Sequence, residues 1–242
     1  MNGLWLVTRR ELSAYFNSIW GYIVAAVILV IDGLLFNAFA LTDRPRLSFE
    51  VLRDFYYFSF GTTTIAAILL TMKLVAEEKQ TNTIVLLDSS PLSDWQIIGG
   101  KFLSALMFLT GLILATAYMP ALIMVNGKVS LGHVMSGYLG LILVGAAVTA
   151  IGTFASTLSR SQLVAAVIGS VITVFLLISW LLAKVANPPL DGVLSYMSLF
   201  DRHFRTTFME GRIDTRDVIY FLSLTFGFLM LATRFFASRR WK

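Results

Sequence analysis

A chain of 242 residues that is 57% hydrophobic and 14% charged, with a mean hydropathy of +0.78, carries more apolar surface than a soluble domain of that size can bury, so part of it must face lipid. It contains no cysteine, which excludes disulfides, thiolate metal sites and thiol catalysis. The net charge of +5 raises nucleic acid as a partner, but the basic residues sit at the ends of apolar runs, where they anchor to phospholipid headgroups, and no nucleic-acid role is expected.

From the N-terminus, residues 1–19 read as an interfacial helix. Trp5, Thr8, Leu12, Tyr15, Phe16 and Ile19 follow helical spacing, with Arg10, Ser13 and Asn17 on another face; the alternative is an extension of the span that follows. Arg9, Arg10 and Glu11 come after the first apolar residues without a small-residue cleavage site, unlike a signal peptide. A bilayer-crossing helix needs roughly 20 apolar residues. The runs that qualify are 20–41, 55–75, 102–125, 131–157, 163–185 and 217–237. The fold class expected is therefore all-α, a single polytopic transmembrane domain over 1–242, with no room for a soluble catalytic domain.

Within the first run, Asp32 lies near mid-membrane, where a carboxylate is costly and faces the bundle interior or a wet cavity. It is either a lining residue of a substrate path, with Asn37 as a second candidate, or a hydrogen-bonded packing residue. Lys73, at the end of the second run, has a stem long enough to snorkel to the interface. The fourth run carries Gly145, Thr149, Thr153 and Thr157, with Gly152 and Ser156 beside them. Such a small-residue stripe suits close packing within the subunit, or else a dimer seam. Helix starts are expected at three capping signatures: Ser93 with Gln96, Ser159 with Gln162, and Asp214 with Asp217.

Between the second and third runs, the polar segment 77–101 (EEKQTNTIVLLDSSPLSDWQIIGGK) holds a short helical piece around Thr83 to Leu87, stopped by Pro91. It is either a helix parallel to the membrane that transmits force from a partner or an ordinary loop. Between the fifth and sixth runs, 186–216 opens on Asn187-Pro188-Pro189 and then places Tyr196, Phe200, Phe204 and Phe208 at a four-residue spacing. This is either a set of short external or re-entrant helices or a helix lying on the outer leaflet. With both termini on the inside, ten Lys/Arg residues fall inside and nine outside, so charge bias gives almost no orientation; the tail 239–242 (RRWK) favours an inner C-terminus.

Chemical motifs are absent. Gly99-Gly100-Lys101 fails as a phosphate loop because Trp95 replaces its first glycine and Phe102 its Ser/Thr ligand. His133 and His203 lie in no HExxH pattern, and no GxSxG elbow occurs.

The order Glu77-Glu78-Lys79, Thr83-Ile84, Leu86-Leu87, Pro91-Leu92-Ser93, Gln96-Ile97-Ile98 and Gly100-Lys101 resembles the cytoplasmic loop of type-2 ABC export permeases. Asn82 stands where that family often has Gly, and Asn tolerates the same left-handed backbone. His203-Phe204, Gly211-Arg212-Ile213, Asp217, 220–225 (YFLSLT) and the terminal 239–242 are similar to the gliding-motility-type branch. The resemblance implies a coupling helix in 77–101, with Glu77, Glu78, Lys79, Thr83, Leu86, Pro91 and Gln96 as the residues that engage a separate ABC ATPase subunit. It implies ATP and Mg on that subunit and no cofactor on this chain. It further implies a second permease copy or paralogue, membrane lipid, in some members an extracytoplasmic accessory protein, and a bacterial inner-membrane location with both termini cytoplasmic. A secondary transporter would show repeated halves and broken helices; a non-transporting anchor would leave 77–101 without a purpose.

Overall fold

The computed structural model describes residues 3–40, 47–83, 91–127 and 129–238, and every regular element among them is helical. The helices are α1 (Gly3–Asn17), α2 (Ile19–Ala40), α3 (Ser48–Thr71), α4 (Ala76–Gln80), α5 (Asp94–Ala115), α6 (Tyr118–Asn126), α7 (Leu131–Leu158), α8 (Gln162–Ala183), α9 (Leu190–Tyr196) and α10 (Thr215–Ser238). A π-helical turn (Asp201–Arg205) and a 3-10 turn (Phe208–Glu210) stand between α9 and α10. Six helical stretches are long and apolar enough to cross a membrane, built on α2, α3–α4, α5–α6, α7, α8 and α10. Alternate crossings put α1, α4, the start of α5 and the end of α10 at one end of the bundle, the near end. The segment from α9 to the 3-10 turn lies at the far end.

The fourth span is the centre. In α7, 78% of the most apolar window is buried, against 22% in α2, 28% in α8 and 22% in α10. Small residues explain that position. Gly145 faces Leu109 and Thr63, and a Cβ on Gly152 would fall 1.9 Å from Thr71 Oγ1, so α3 and α5 pack close against α7. The stripe thus serves packing within the subunit. The outer spans keep apolar rows exposed, such as Val27, Val30 and Leu34 on α2 and Val167, Val171 and Val174 on α8. Such rows are stable only against lipid or another protein.

Several boundaries differ from expectation for local reasons. The second span begins at Ser48 rather than Phe55, because Glu50, Arg53 and Asp54 interrupt the apolar run without interrupting the helix. The third span breaks at Thr116–Ala117: Pro120 lacks the N–H that would reach the Thr116 carbonyl, and the Met119 amide takes that oxygen instead at 3.0 Å. Ser93 and Gln96 form the expected capping box. At α8 the cap is Ser161, accepting from the Val164 amide, not Ser159, whose hydroxyl donates back to Ala155 O at 2.8 Å. Asp214 accepts from the Arg216 amide at 2.9 Å, but Asp217 does not complete a box because its carboxylate goes to His203.

Candidate functional site

At the near end, two glycines bring α1 onto α5. A Cβ on Gly100 would lie 2.7 Å from Val7 Cβ and 3.0 Å from the Leu4 carbonyl oxygen, and Thr8 Oγ1 donates to Gly100 O at 3.3 Å. The approach buries Val7, Thr8 and Tyr15, while Trp5, Phe16 and Ile19 stay exposed. So α1 is helical as expected, but the face it presents to the bundle is only partly the one the spacing suggests. Tyr15 donates to Leu70 O at 2.8 Å and stacks on Phe108 at 5.2 Å.

This docking places Glu11 beside Lys101, whose side chain is 2% exposed. The Lys101 ammonium donates to Glu78 Oε1 at 2.7 Å and to Glu11 Oε1 at 3.2 Å, and Arg10 closes the group with a 2.5 Å bond to Glu11. Two cations and two carboxylates from α1, α4 and α5 therefore cancel in one knot, with Lys101 buried, Glu11 and Glu78 largely so, and Arg10 closing it from the exposed side. Burial raises the affinity of Glu11 for its proton, but the Lys101 charge and the Arg10 hydrogen bond outweigh burial and hold its pKa below the ordinary 4.5. The knot's contribution through Glu11 is thus complete above that ordinary value and is lost as pH falls through the lowered one. The melting temperature of the purified protein should fall as pH is lowered below 4.5, and Glu11→Gln should flatten that fall. An identical acid slope in Glu11→Gln would remove Glu11 from the account.

The joint between α3 and α4 is held from outside itself. After Thr71 the helical ladder fails, and one hydroxyl on α7 replaces it: Ser156 Oγ accepts from the Val75 and Ala76 amides, each at 3.0 Å, and donates to Met72 O at 3.3 Å. Lys79 donates to the Thr157 carbonyl. The polar residues singled out from sequence therefore divide. Glu78 and Lys79 turn inward, Gln96 caps α5, Glu77 is half-buried, and Thr83 and Pro91 are exposed. Leu86, and with it the helical piece expected over Thr83 to Leu87, lies outside the described residues, where only Thr83 is placed, in a turn. Asn82 adopts the left-handed φ of 57°.

Inside the bundle, Asp32 is buried and accepts from Thr62 Oγ1 at 2.8 Å. Beside it is a cavity of about 10 Å³, lined by Ser59, Thr63 and Thr116 and large enough for about one water. Asn37 is exposed and does not share that cavity. On the outer side, α2, α3 and α8 form an open apolar groove of about 610 Å³. Gly61 borders it with nothing within 4 Å of where its Cβ would be, and Thr173 Oγ1 is buried there without a hydrogen-bond partner.

A family model described as ABC-2 family transporter protein matches residues 31–240 of this chain. The chain belongs to the ABC-2 family. The match begins within α2 and runs through α10, and it makes the chain the membrane permease component of an ABC transporter, a part that is not itself catalytic. A search of the curated proteins finds no matching relative.

In this ABC-2 permease the segment 186–216, the cap, packs against the far end of the bundle. Over 186–216 the aromatics do not form one helical face, because the chain breaks at Met197–Ser198 and winds as a π turn. Phe204 and Phe208 are fully buried, against Phe60 and Gly140. His203 is buried between Tyr196 O, 2.8 Å from Nε2, and Asp217 Oδ1, 2.6 Å from Nδ1, and its ring stacks on Tyr220 at 3.8 Å. Nε2 must donate to the carbonyl, so a proton also lies between Nδ1 and Asp217. Asp217 Oδ2 is buried and unpartnered. Neither this pair nor the Lys101 knot is visible in the sequence. The only available signal was Gly99-Gly100 before Lys101, which marks a close helix contact rather than a failed phosphate loop.

Proposed function

We propose that the chain is one half of an ATP-driven export permease of the gliding-motility-type branch, a single domain that pairs with a second copy or paralogue and carries force from a separate ATPase. The observation that supports this most is the anchoring of the 77–101 segment. One end is fixed by Ser156 and the Glu78–Lys101–Glu11 knot, the other by the Ser93 capping box; among the described residues of the segment, Thr83 and Pro91 are exposed and Glu77 is half-buried. A segment held at both ends passes displacement into α3 and α5 rather than absorbing it. ATP and Mg belong to the partner in this reading. The groove along α2, α3 and α8, with Gly61 open to it, suits the second permease and the substrate path between the copies. The near end is assigned to the cytoplasmic side of the inner membrane, the far-end cap to the exit side, where an accessory protein would meet it.

The test separates docking from folding. Glu78 is internal, so a charge reversal there would damage the knot; Glu77 has no ion-pair partner among the described residues. Glu77→Arg should leave yield and melting unchanged and reduce the ATPase recovered with the permease by roughly tenfold, as about 1.4 kcal/mol of lost affinity produces. Full recovery of an active ATPase with Glu77→Arg would refute the docking role.

A further inference from the structure

A second polar site stands beside the knot. Between α1, the start of α2, the Met72–Val75 turn, α4 and α5 lies an open cavity of about 240 Å³. Its wall carries one ammonium without an ion-pair partner among the described residues, Lys73, whose Nζ sits 4.6 Å over the Trp20 ring, and one such carboxylate, Glu77. Two further wall residues hold buried polar atoms with no hydrogen-bond partner: Trp20 Nε1, a donor, and Glu78 Oε2, an acceptor. Both atoms lie behind the wall rather than on it, so the groups that meet the cavity with unmatched charge are Lys73 and Glu77.

We infer that this cavity is a binding site for the headgroup of a membrane lipid bearing a phosphate and a primary ammonium, a phosphatidylethanolamine-type zwitterion. Three observations select this chemistry. Both charges are demanded at once, which a purely anionic headgroup does not satisfy. Lys73 supplies a cation for phosphate oxygens; Glu77 accepts N–H bonds, which an ammonium provides and a trimethylammonium does not. The aromatic face that would receive a trimethylammonium is already covered by Lys73. The source is lipid because Trp20 lies at the start of the first span, the level at which Trp marks the membrane interface. The acyl chains would then lie along the exposed rows of α2.

Glu77 is shared with the proposed ATPase docking, so Lys73→Gln is the variant that separates the two: it should abolish the lipid preference and leave recovery of the ATPase unchanged. The experiment is native mass spectrometry of the purified full chain in detergent with equimolar phosphatidylethanolamine and phosphatidylcholine of identical acyl chains. The wild type should retain the ethanolamine lipid about tenfold over the choline lipid, a difference of about 1.4 kcal/mol. Lys73→Gln and Glu77→Gln should each bring the two towards parity with unchanged melting temperature. Equal retention in the wild type, or a preference that survives both substitutions, overturns the site. Water-soluble glycerophosphoethanolamine at the same concentration should not displace the lipid; displacement would overturn lipid as the source.

Discussion

Lys101→Met lowers the unfolding free energy of the detergent-solubilised protein by about 3–5 kcal/mol, the cost of removing one partner from a buried ion pair. The ammonium is 2% exposed and is the donor to both Glu78 and Glu11. Without it two carboxylates share a largely buried space, with Arg10 near both, at 2.5 Å from Glu11 and 4.0 Å from Glu78. The loss comes from the uncompensated charges, so neutralising them should recover most of it: Glu11→Gln with Glu78→Gln added to Lys101→Met should melt closer to wild type than Lys101→Met alone. Urea or SDS unfolding followed by tryptophan fluorescence measures both. A loss below about 1 kcal/mol, the range of exposed ion pairs, would show that the knot is solvated and structurally unimportant.

His203→Ala opens the far-end cap. The substitution removes the ring stacked on Tyr220, leaves the Tyr196 carbonyl without its donor, and strands Asp217 with neither oxygen paired. A stranded buried carboxylate again costs about 3–5 kcal/mol. The expected readout is protease cleavage between Ala186 and Arg216 at temperatures where the wild type resists, together with a lowered melting point. Asp217→Asn should do far less, because its amide N–H can donate to Nδ1 of the neutral ring while Nε2 still donates to Tyr196 O, and adding Asp217→Leu to His203→Ala should restore part of the loss. Wild-type resistance to protease in His203→Ala would mean that the buried aromatics, Phe204 and Phe208, hold the cap without the pair.

Local features of this fold are legible in sequence to the extent that their causes are local. The six spans follow from apolar runs, the α5 start from Ser93 and Gln96, and the turn at Asn82 from the backbone that Asn tolerates. Errors arose where the deciding partner lies elsewhere in the chain. Lys101 meets residues 23 and 90 positions away, so Glu78 reads as a docking carboxylate and Lys101 as a remnant of a motif. Asp217 reads as a capping partner because its true partner, His203, precedes it by 14 residues and sits in a turn no periodicity announces. Ser159 and Ser161 differ only in which hydroxyl the preceding helix keeps. Asp32 is correctly placed as an interior carboxylate, and the hydroxyl it meets, Thr62, is supplied by the neighbouring span.

The Ser156 hydroxyl has a mechanical implication. It satisfies the three backbone groups at the end of α3 that a continuous helix would have satisfied alone. The heading of the polar segment is therefore registered to the fourth span, the deepest member of the bundle, and not to the span from which the segment grows. A rotation of α7 swings that segment even if α3 stays still, and a push on the segment reaches the axis of the bundle without first bending its own helix. Steering and thrust thus meet at one side chain.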